Sequence, residues 1–122
     1  MPLYTITTQA GVLSGDDKAI LAAHLTEVHC EFSGVPASWV HIVFHEYPVG
    51  SGFTAGRPAA TAALTLLMRA GRSSEYKRSL LARLWPILQN ATGAENDQIV
   101  IGIQEISPSQ AMEMGQIMPE VA

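Results

Sequence analysis

The feature that most constrains this chain is an internal repeat with a period of 59 residues. Shifting the sequence by that amount brings Ser14 onto Ser73, Lys18 onto Lys77, Leu21 onto Leu80 and Leu25 onto Leu84. Further along, Gly34 falls on Gly93, Val40 on Ile99, Ile42 on Ile101, Phe44 on Ile103 and Glu46 on Glu105. Few residues are identical, but apolar positions and turn residues agree throughout. A chain written this way folds one supersecondary unit twice.

Each unit reads as strand, helix, strand. Residues 3–8 are β-branched and aromatic, which suits a strand. Ser14 can cap a helix whose positive end carries Asp17. Ile20, Leu21, Leu25, Val28 and Phe32 form a stripe at helical spacing, Gly34 offers a stop, and Pro36 lies just beyond. Residues 39–46 then alternate, with Val40, Ile42 and Phe44 on one face. The second unit repeats the plan: a strand at 61–68, a cap at Ser73, a stripe of Leu80, Leu81, Leu84 and Leu88, a stop at Gly93, and a strand marked by Ile99, Ile101 and Ile103. Pro86 sits inside the second helix and predicts a kink.

A strand–helix–strand unit in one sheet implies a parallel strand pair. Two fused β-α-β units therefore predict an α/β (α+β) fold, a four-stranded sheet with both helices on one face. One domain is expected over 1–122, with repeats at 1–50 and 60–107 and a short C-terminal segment at 108–122. In that segment Ser107-Pro108-Ser109-Gln110 predicts a third short helix, ended by Gly115. The stretch 48–59, rich in Gly, Pro and Ser, reads as a loop at a pocket edge or a subunit contact.

Composition bears on what surrounds the chain. Hydrophobic residues make up 48% and charged residues 15%, more apolar surface than so small a monomer buries comfortably. The uncovered sheet face adds to this, so an oligomer is expected, with a ferredoxin-like monomer as the alternative. The net charge of −4, with only 7 Lys and Arg, argues against nucleic-acid binding. No apolar run is long enough to cross a bilayer, and MPLYTITTQ is not a signal peptide. A lone cysteine, Cys30, fits a reducing compartment, and the cytoplasm is the expected location.

Some residues could carry chemistry. Pro2 follows Met1 directly, and loss of Met1 would leave a secondary amine at the start of a strand. Burial and nearby cations would lower its pKa and suit it to proton transfer. If Met1 stays, the Pro2 nitrogen is an amide and this chemistry is lost. Arg69 ends a strand, and Arg72 precedes the Ser73 cap. Two guanidinium groups beside a helix N-terminus suit an anion, although two solvated arginines fit the same spacing. Their counterparts in the first unit are Ala10 and Leu13, so the scaffold does not require arginine there.

His29 corresponds to Leu88, which puts it on or beside the buried face, as a core histidine or a ligand contact. His41 and His45 share a strand face roughly 13 Å apart and cannot easily chelate one metal. His24 reads as exposed, Cys30 as packed, and no metal site is expected. Glu113, placed in the short C-terminal helix, has no special standing from spacing alone.

Together the Pro2-Leu3-Tyr4 start, His29 late in the first helix, Arg69-Ala70-Gly71-Arg72-Ser73 and Ala111-Met112-Glu113-Met114-Gly115 resemble the tautomerase superfamily, in particular its cis-3-chloroacrylic acid dehalogenase branch. The resemblance spans nearly the whole chain. It implies a homotrimer of fused two-unit subunits, no cofactor, and a small-molecule carboxylate as substrate. By it, Pro2 is the catalytic acid or base, Arg69 and Arg72 hold the substrate carboxylate, and His29 helps place the substrate. Glu113 activates water for attack on an unsaturated acid. In a plain tautomerase, neutral Pro2 shuttles a proton along an enol instead.

Two departures bear on dehalogenation. The dehalogenase has a tyrosine in the last strand where this chain has Gly102, and a longer tail after the Glu113 segment. Loss of one such hydroxyl can cost about 10²–10³ in rate. The sequence therefore favours a tautomerase or hydratase, with a cis-3-haloacrylate dehalogenase and a non-catalytic trimeric anion-binding protein as alternatives.

Overall fold

A computed structural model describes residues 1–121; Ala122, the last residue of the expected 108–122 segment, lies outside the described residues. The first unit comprises β1 (Leu3–Gln9), α1 (Gly15–Ser33) and β2 (His41–Tyr47), followed by a small hairpin, β3 (Phe53–Thr54) and β4 (Arg57–Pro58). The second comprises β5 (Ala62–Arg69), α2 (Ser74–Thr92) and β6 (Ile99–Ile106), followed by a matching hairpin, β7 (Met112–Glu113) and β8 (Gln116–Ile117). The main sheet has the order β2-β1-β5-β6. Its outer pairs, β1 with β2 and β5 with β6, are parallel, and the central pair β1–β5 is antiparallel, with Thr5 opposite Thr65.

Alternation along the central strands sorts the two faces. Tyr4 and Ile6 on β1, with Leu64, Leu66 and Met68 on β5, are buried against both helices. Leu21, Leu25 and Val28 on α1 and Leu80, Leu84 and Leu88 on α2 complete that core. Leu3, Thr5, Thr7, Ala63, Thr65 and Leu67 point the other way and stay half-exposed, and Val43 and Val100 are exposed. The expected layout of two helices on one face therefore holds, and among the described residues nothing covers the opposite face.

Both helices begin as expected. Ser14 accepts from Asp17 N while Asp17 accepts from Ser14 N, a complete capping box; Ser73 accepts from Tyr76 N. Both end at a left-handed glycine, Gly34 at φ 73° and Gly93 at φ 70°. α2 runs unbroken through Pro86. The proline removes one donor to the Ala82 carbonyl, and Ala82 is exposed, so water can replace it.

Several expectations need correction. Ile20 is 69% exposed and does not belong to the α1 stripe, because the buried face runs through Leu21, Leu25 and Val28, about 100° around the helix. Trp39 closes a 3₁₀ turn (Ala37–Trp39), and the strand begins at His41. The third helix shrinks to one 3₁₀ turn, Pro108–Gln110, in which the Ser107 side chain makes no capping bond. Met114 at φ 53° and Gly115 at φ 74° then form a left-handed pair that reverses the chain, so Gly115 turns a hairpin instead of ending a helix. Ala55 at φ 53° and Gly56 at φ 72° do the same in the stretch read as a loop.

The repeat consequently continues past 50 and past 107. Residues 53, 54, 57 and 58 map onto 112, 113, 116 and 117 by the same 59-residue shift. The closing bonds match as well: Ala59 N donates to Gly52 O at 2.9 Å and Met118 N to Ala111 O at 2.8 Å. Leu84→Ala should cost about 2–5 kcal/mol of stability, and Ile20→Ala should stay within about 0.5 kcal/mol. Denaturant midpoints measured at one protein concentration would check both.

Candidate active site

The antiparallel seam fixes where the site forms. Leu3 pairs with Leu67, so the residues before β1 lie beside those that end β5. Pro2 is buried there, its carbonyl accepting from His41 N at 3.0 Å. The end of α1 and the start of α2 reach the same corner. A cavity of about 20 Å³ is lined there by Met1, His29, Met68, Arg69, Arg72 and Tyr76, together with Ser33, Val35 and Val121. That volume holds about one water.

Each sequence-derived candidate can be placed. Arg69 closes β5, and its Nη1 donates to Pro119 O at 2.7 Å, drawing the C-terminal stretch over the corner. Gly71, at φ 125°, lets Val121 pack where a Cβ would lie 2.5 Å from Val121 Cγ2. The Arg72 guanidinium sits 4.9 Å from the centre of the Tyr76 ring. His29 is 4% exposed, on the α1 face turned to the sheet, and its Nδ1 lies 2.8 Å from the Tyr4 hydroxyl.

Glu113 occupies β7, not a helix, and its carboxylate pairs with the Met1 ammonium. It also stands 4.0 Å from His41 Nε2. A second hollow of about 390 Å³, lined by Trp39, His41, Glu113, Met114, Ile117 and Met118 among others, opens on this side. Met1 thus lies between the arginine corner and the Glu113 hollow. With Met1 attached, the Pro2 nitrogen is an amide that carries no exchangeable proton.

Electrostatics at the corner are positive. Burial, then the Arg72 charge and the N-terminal ammonium, lower the His29 pKa to about 4. Burial first, then the potential of Tyr76 and Cys30, raises the Tyr4 hydroxyl well above its usual range. Burial also raises Tyr76, against the opposing pull of Arg72. The lining offers donors and cations. Among the described residues no group of three or more His, Cys, Asp or Glu could hold a metal ion, and no helix is long and apolar enough to cross a membrane.

The other end of the pseudo-symmetric sheet provides an internal control. In the central strands the offset is 60 residues, since Thr5 stands opposite Thr65 and the Ala10 N–Tyr47 O bond matches Ala70 N–Ile106 O. Pro2 therefore corresponds to Ala62 and Arg69 to Gln9, not to Ala10. In the helices and hairpins the 59-residue shift holds, matching Arg72 before its cap to Leu13, His29 to Leu88 and Glu113 to Thr54. Thr54 Oγ1 there meets Gln98 Oε1 at 3.1 Å, and none of these residues is charged. The scaffold therefore forms without the charges gathered at the first end. Scaffold pairs, by contrast, occur at both: Lys18 with Glu46 and Lys77 with Glu105.

Sequence reading missed Tyr4, Tyr76 and His41 as neighbours of the site. One signal was available for Tyr76. It replaces Asp17 of the first unit, giving up the capping-box carboxylate at a position where the fold tolerates one. Tyr4 similarly stands where the second unit has Leu64, a phenol in place of an aliphatic residue at a buried strand position.

The low pKa of His29 links the site to stability. The unfolded ring titrates near 6.5 and the native ring near 4. Between these values the unfolded chain holds a proton that the native chain lacks, so stability rises with pH across the window. The gain is about 3 kcal/mol, complete above pH 6.5 and lost as pH falls through 4. Urea unfolding across this range should show the slope, and His29→Gln should remove this share of it.

Comparison with known proteins bears on the family and the fold. A family model described as "Tautomerase_3: Putative oxalocrotonate tautomerase enzyme" matches residues 1–122. No curated protein matches the chain significantly. Among solved structures, native Ps01740 is 36% identical, with 91% of this chain and 99% of that one covered and a TM-score of 0.87. N1, a member of the cis-3-chloroacrylic acid dehalogenase family, is 24% identical over 98% of this chain and 85% of its own, with a TM-score of 0.90. A symmetric trimer of fused 4-OT is 20% identical over 95% and 94%, with a TM-score of 0.85. The family model's full-length match, on a fold shared with these structures, establishes that this chain belongs to the tautomerase family.

Proposed function

We propose that the chain is a cofactor-independent tautomerase or hydratase acting on a small unsaturated carboxylate or 2-oxo acid, with Pro2, freed by removal of Met1, as acid or base. The observation that carries this reading is the position of Met1. It fills the corner between Arg69, Arg72 and His29, and its ammonium holds Glu113. Only two atoms separate the Met1 and Pro2 nitrogens. Removal of Met1 would expose a secondary amine beside two guanidinium groups and near a carboxylate, in space now too small for a substrate.

The roles follow from charge. Arg69 and Arg72 would bind the carboxylate of the substrate. Arg72, whose charge acts against a proton on His29, would act in the same sense on a Pro2 amine and favour the neutral form that takes a proton from an enol and returns it to carbon. Glu113 acts in the opposite sense and supports a second mode, in which it activates water while the Pro2 ammonium protonates the neighbouring carbon. That mode includes cis-3-haloacrylate hydrolysis, the activity suggested by the family of N1. Gly102 lies on the open face of β6 with nothing within 4 Å of an added Cβ, so no hydroxyl is supplied from that position.

A homotrimer, as in fused 4-OT, fits the same picture. The half-exposed face of Leu3, Thr5, Ala63, Thr65 and Leu67, flanked by Val43 and Val100, is covered by none of the described residues, and a neighbouring subunit would cover it. One domain over the whole chain and a cytoplasmic location complete the proposal.

Pro2→Ala should lower turnover of phenylenolpyruvate or a 2,3-unsaturated acid by about 10²–10⁴-fold. Arg69→Ala and Arg72→Ala should each raise KM by roughly 10- to 100-fold. Unchanged turnover in Pro2→Ala would sink the reading. Halide release from cis-3-haloacrylates, followed in the same assays, separates the two modes.

A further inference from the structure

Tyr4 has no part in the chemistry above, yet it is completely buried and bonded to a residue that has. Its hydroxyl lies 2.8 Å from His29 Nδ1, and the rings meet edge to face, 5.5 Å apart at 86°. One hydrogen must lie between the two atoms. Either the phenol donates to a bare Nδ1, or Nδ1–H donates to the phenol oxygen. In the second arrangement the phenolic hydrogen needs another acceptor, and among the described residues Tyr4 has only His29. That arrangement leaves a buried donor unpaired, whereas the first leaves none.

The charges around the pair agree. Arg72 and the N-terminal ammonium face His29 and disfavour a second proton on the ring; Tyr76 and Cys30 are the other titratable groups near Tyr4. With Nδ1 accepting, the ring's hydrogen belongs on Nε2, the nitrogen left for the cavity. The pair also occurs at one end of the molecule only, since the corresponding buried positions of the second unit are Leu64 and Leu88. The scaffold does not require it.

We infer that Tyr4 is a positioning residue that fixes His29 as the Nε2–H tautomer, so that the ring offers the cavity a hydrogen-bond donor and not a base. A bare Nε2 would turn a lone pair towards the oxygens of a bound anion, opposing Arg69 and Arg72. A fixed Nε2–H joins them. The catalytic consequence rests on the proposed function; the tautomer itself does not.

Long-range ¹H–¹⁵N correlation spectra of the histidine rings at neutral pH test this, with His29→Gln identifying the His29 signals. The expected result is a protonated Nε2 and a bare Nδ1 in the wild-type protein. In Tyr4→Phe the ring should populate both tautomers, and KM for a carboxylate substrate should rise roughly threefold to tenfold with kcat changed by about twofold or less. A wild-type ring protonated on Nδ1, or an unchanged tautomer in Tyr4→Phe, would overturn the inference. The wild-type spectrum decides the matter alone if Tyr4→Phe does not fold. The expected tautomers with no turnover in either protein would sustain the inference and sink the enzymatic reading.

Discussion

The antiparallel ladder between β1 and β5 joins the two halves, and every later feature depends on its register. Thr5 opposite Thr65 places the pseudo-twofold at the middle of the sheet. The start of each central strand therefore lies beside the end of the other. At one end this puts Met1 and Pro2 against Met68 and Arg69; at the other, Thr61 lies near the end of β1. A register slip by one residue would turn Tyr4, Ile6, Leu64 and Leu66 away from the helices. The alternation of buried and half-exposed positions along both strands opposes such a slip.

Two equivalent corners follow from that geometry, and they have diverged. What the scaffold needs appears twice: left-handed glycines after both helices, Lys–Glu pairs near both, and a left-handed pair turning each hairpin. The candidate site appears once. Arg69, Arg72, His29, Tyr4 and Glu113 correspond to Gln9, Leu13, Leu88, Leu64 and Thr54 across the pseudo-symmetry. Residues that fold the protein are thus distinct from residues that charge one corner of it.

Much of the fold was legible in the sequence because its signals are local and doubled. Ser14 and Ser73 precede helices that end at Gly34 and Gly93, and each apolar stripe has a partner 59 residues away. The hairpins were not legible in the same way. Ala55-Gly56 and Met114-Gly115 are weaker turn signals than Asn-Gly, and two-residue strands carry no period to read. Ser107-Pro108 imitates a helix start, which put Glu113 in the wrong element. Arg69, Arg72 and His29 could be singled out by comparing the repeats. Tyr4 could not be tied to His29, because 25 residues separate them and only the packing of α1 on the sheet brings them together.

The account turns on Met1, which occupies the one corner where amine, guanidinium groups and carboxylate would otherwise meet. Its removal would turn an amide into a base and a water-sized space into a site. Covalent labelling with a 3-halopropiolate, followed by peptide mapping, tests this most directly. The reagent carries a carboxylate for Arg69 and Arg72 and an electrophilic carbon for an amine. The account predicts modification on the nitrogen of an N-terminal Pro2, slowed by a competing carboxylate. A native protein that retains Met1, and is labelled elsewhere or not at all, would contradict it.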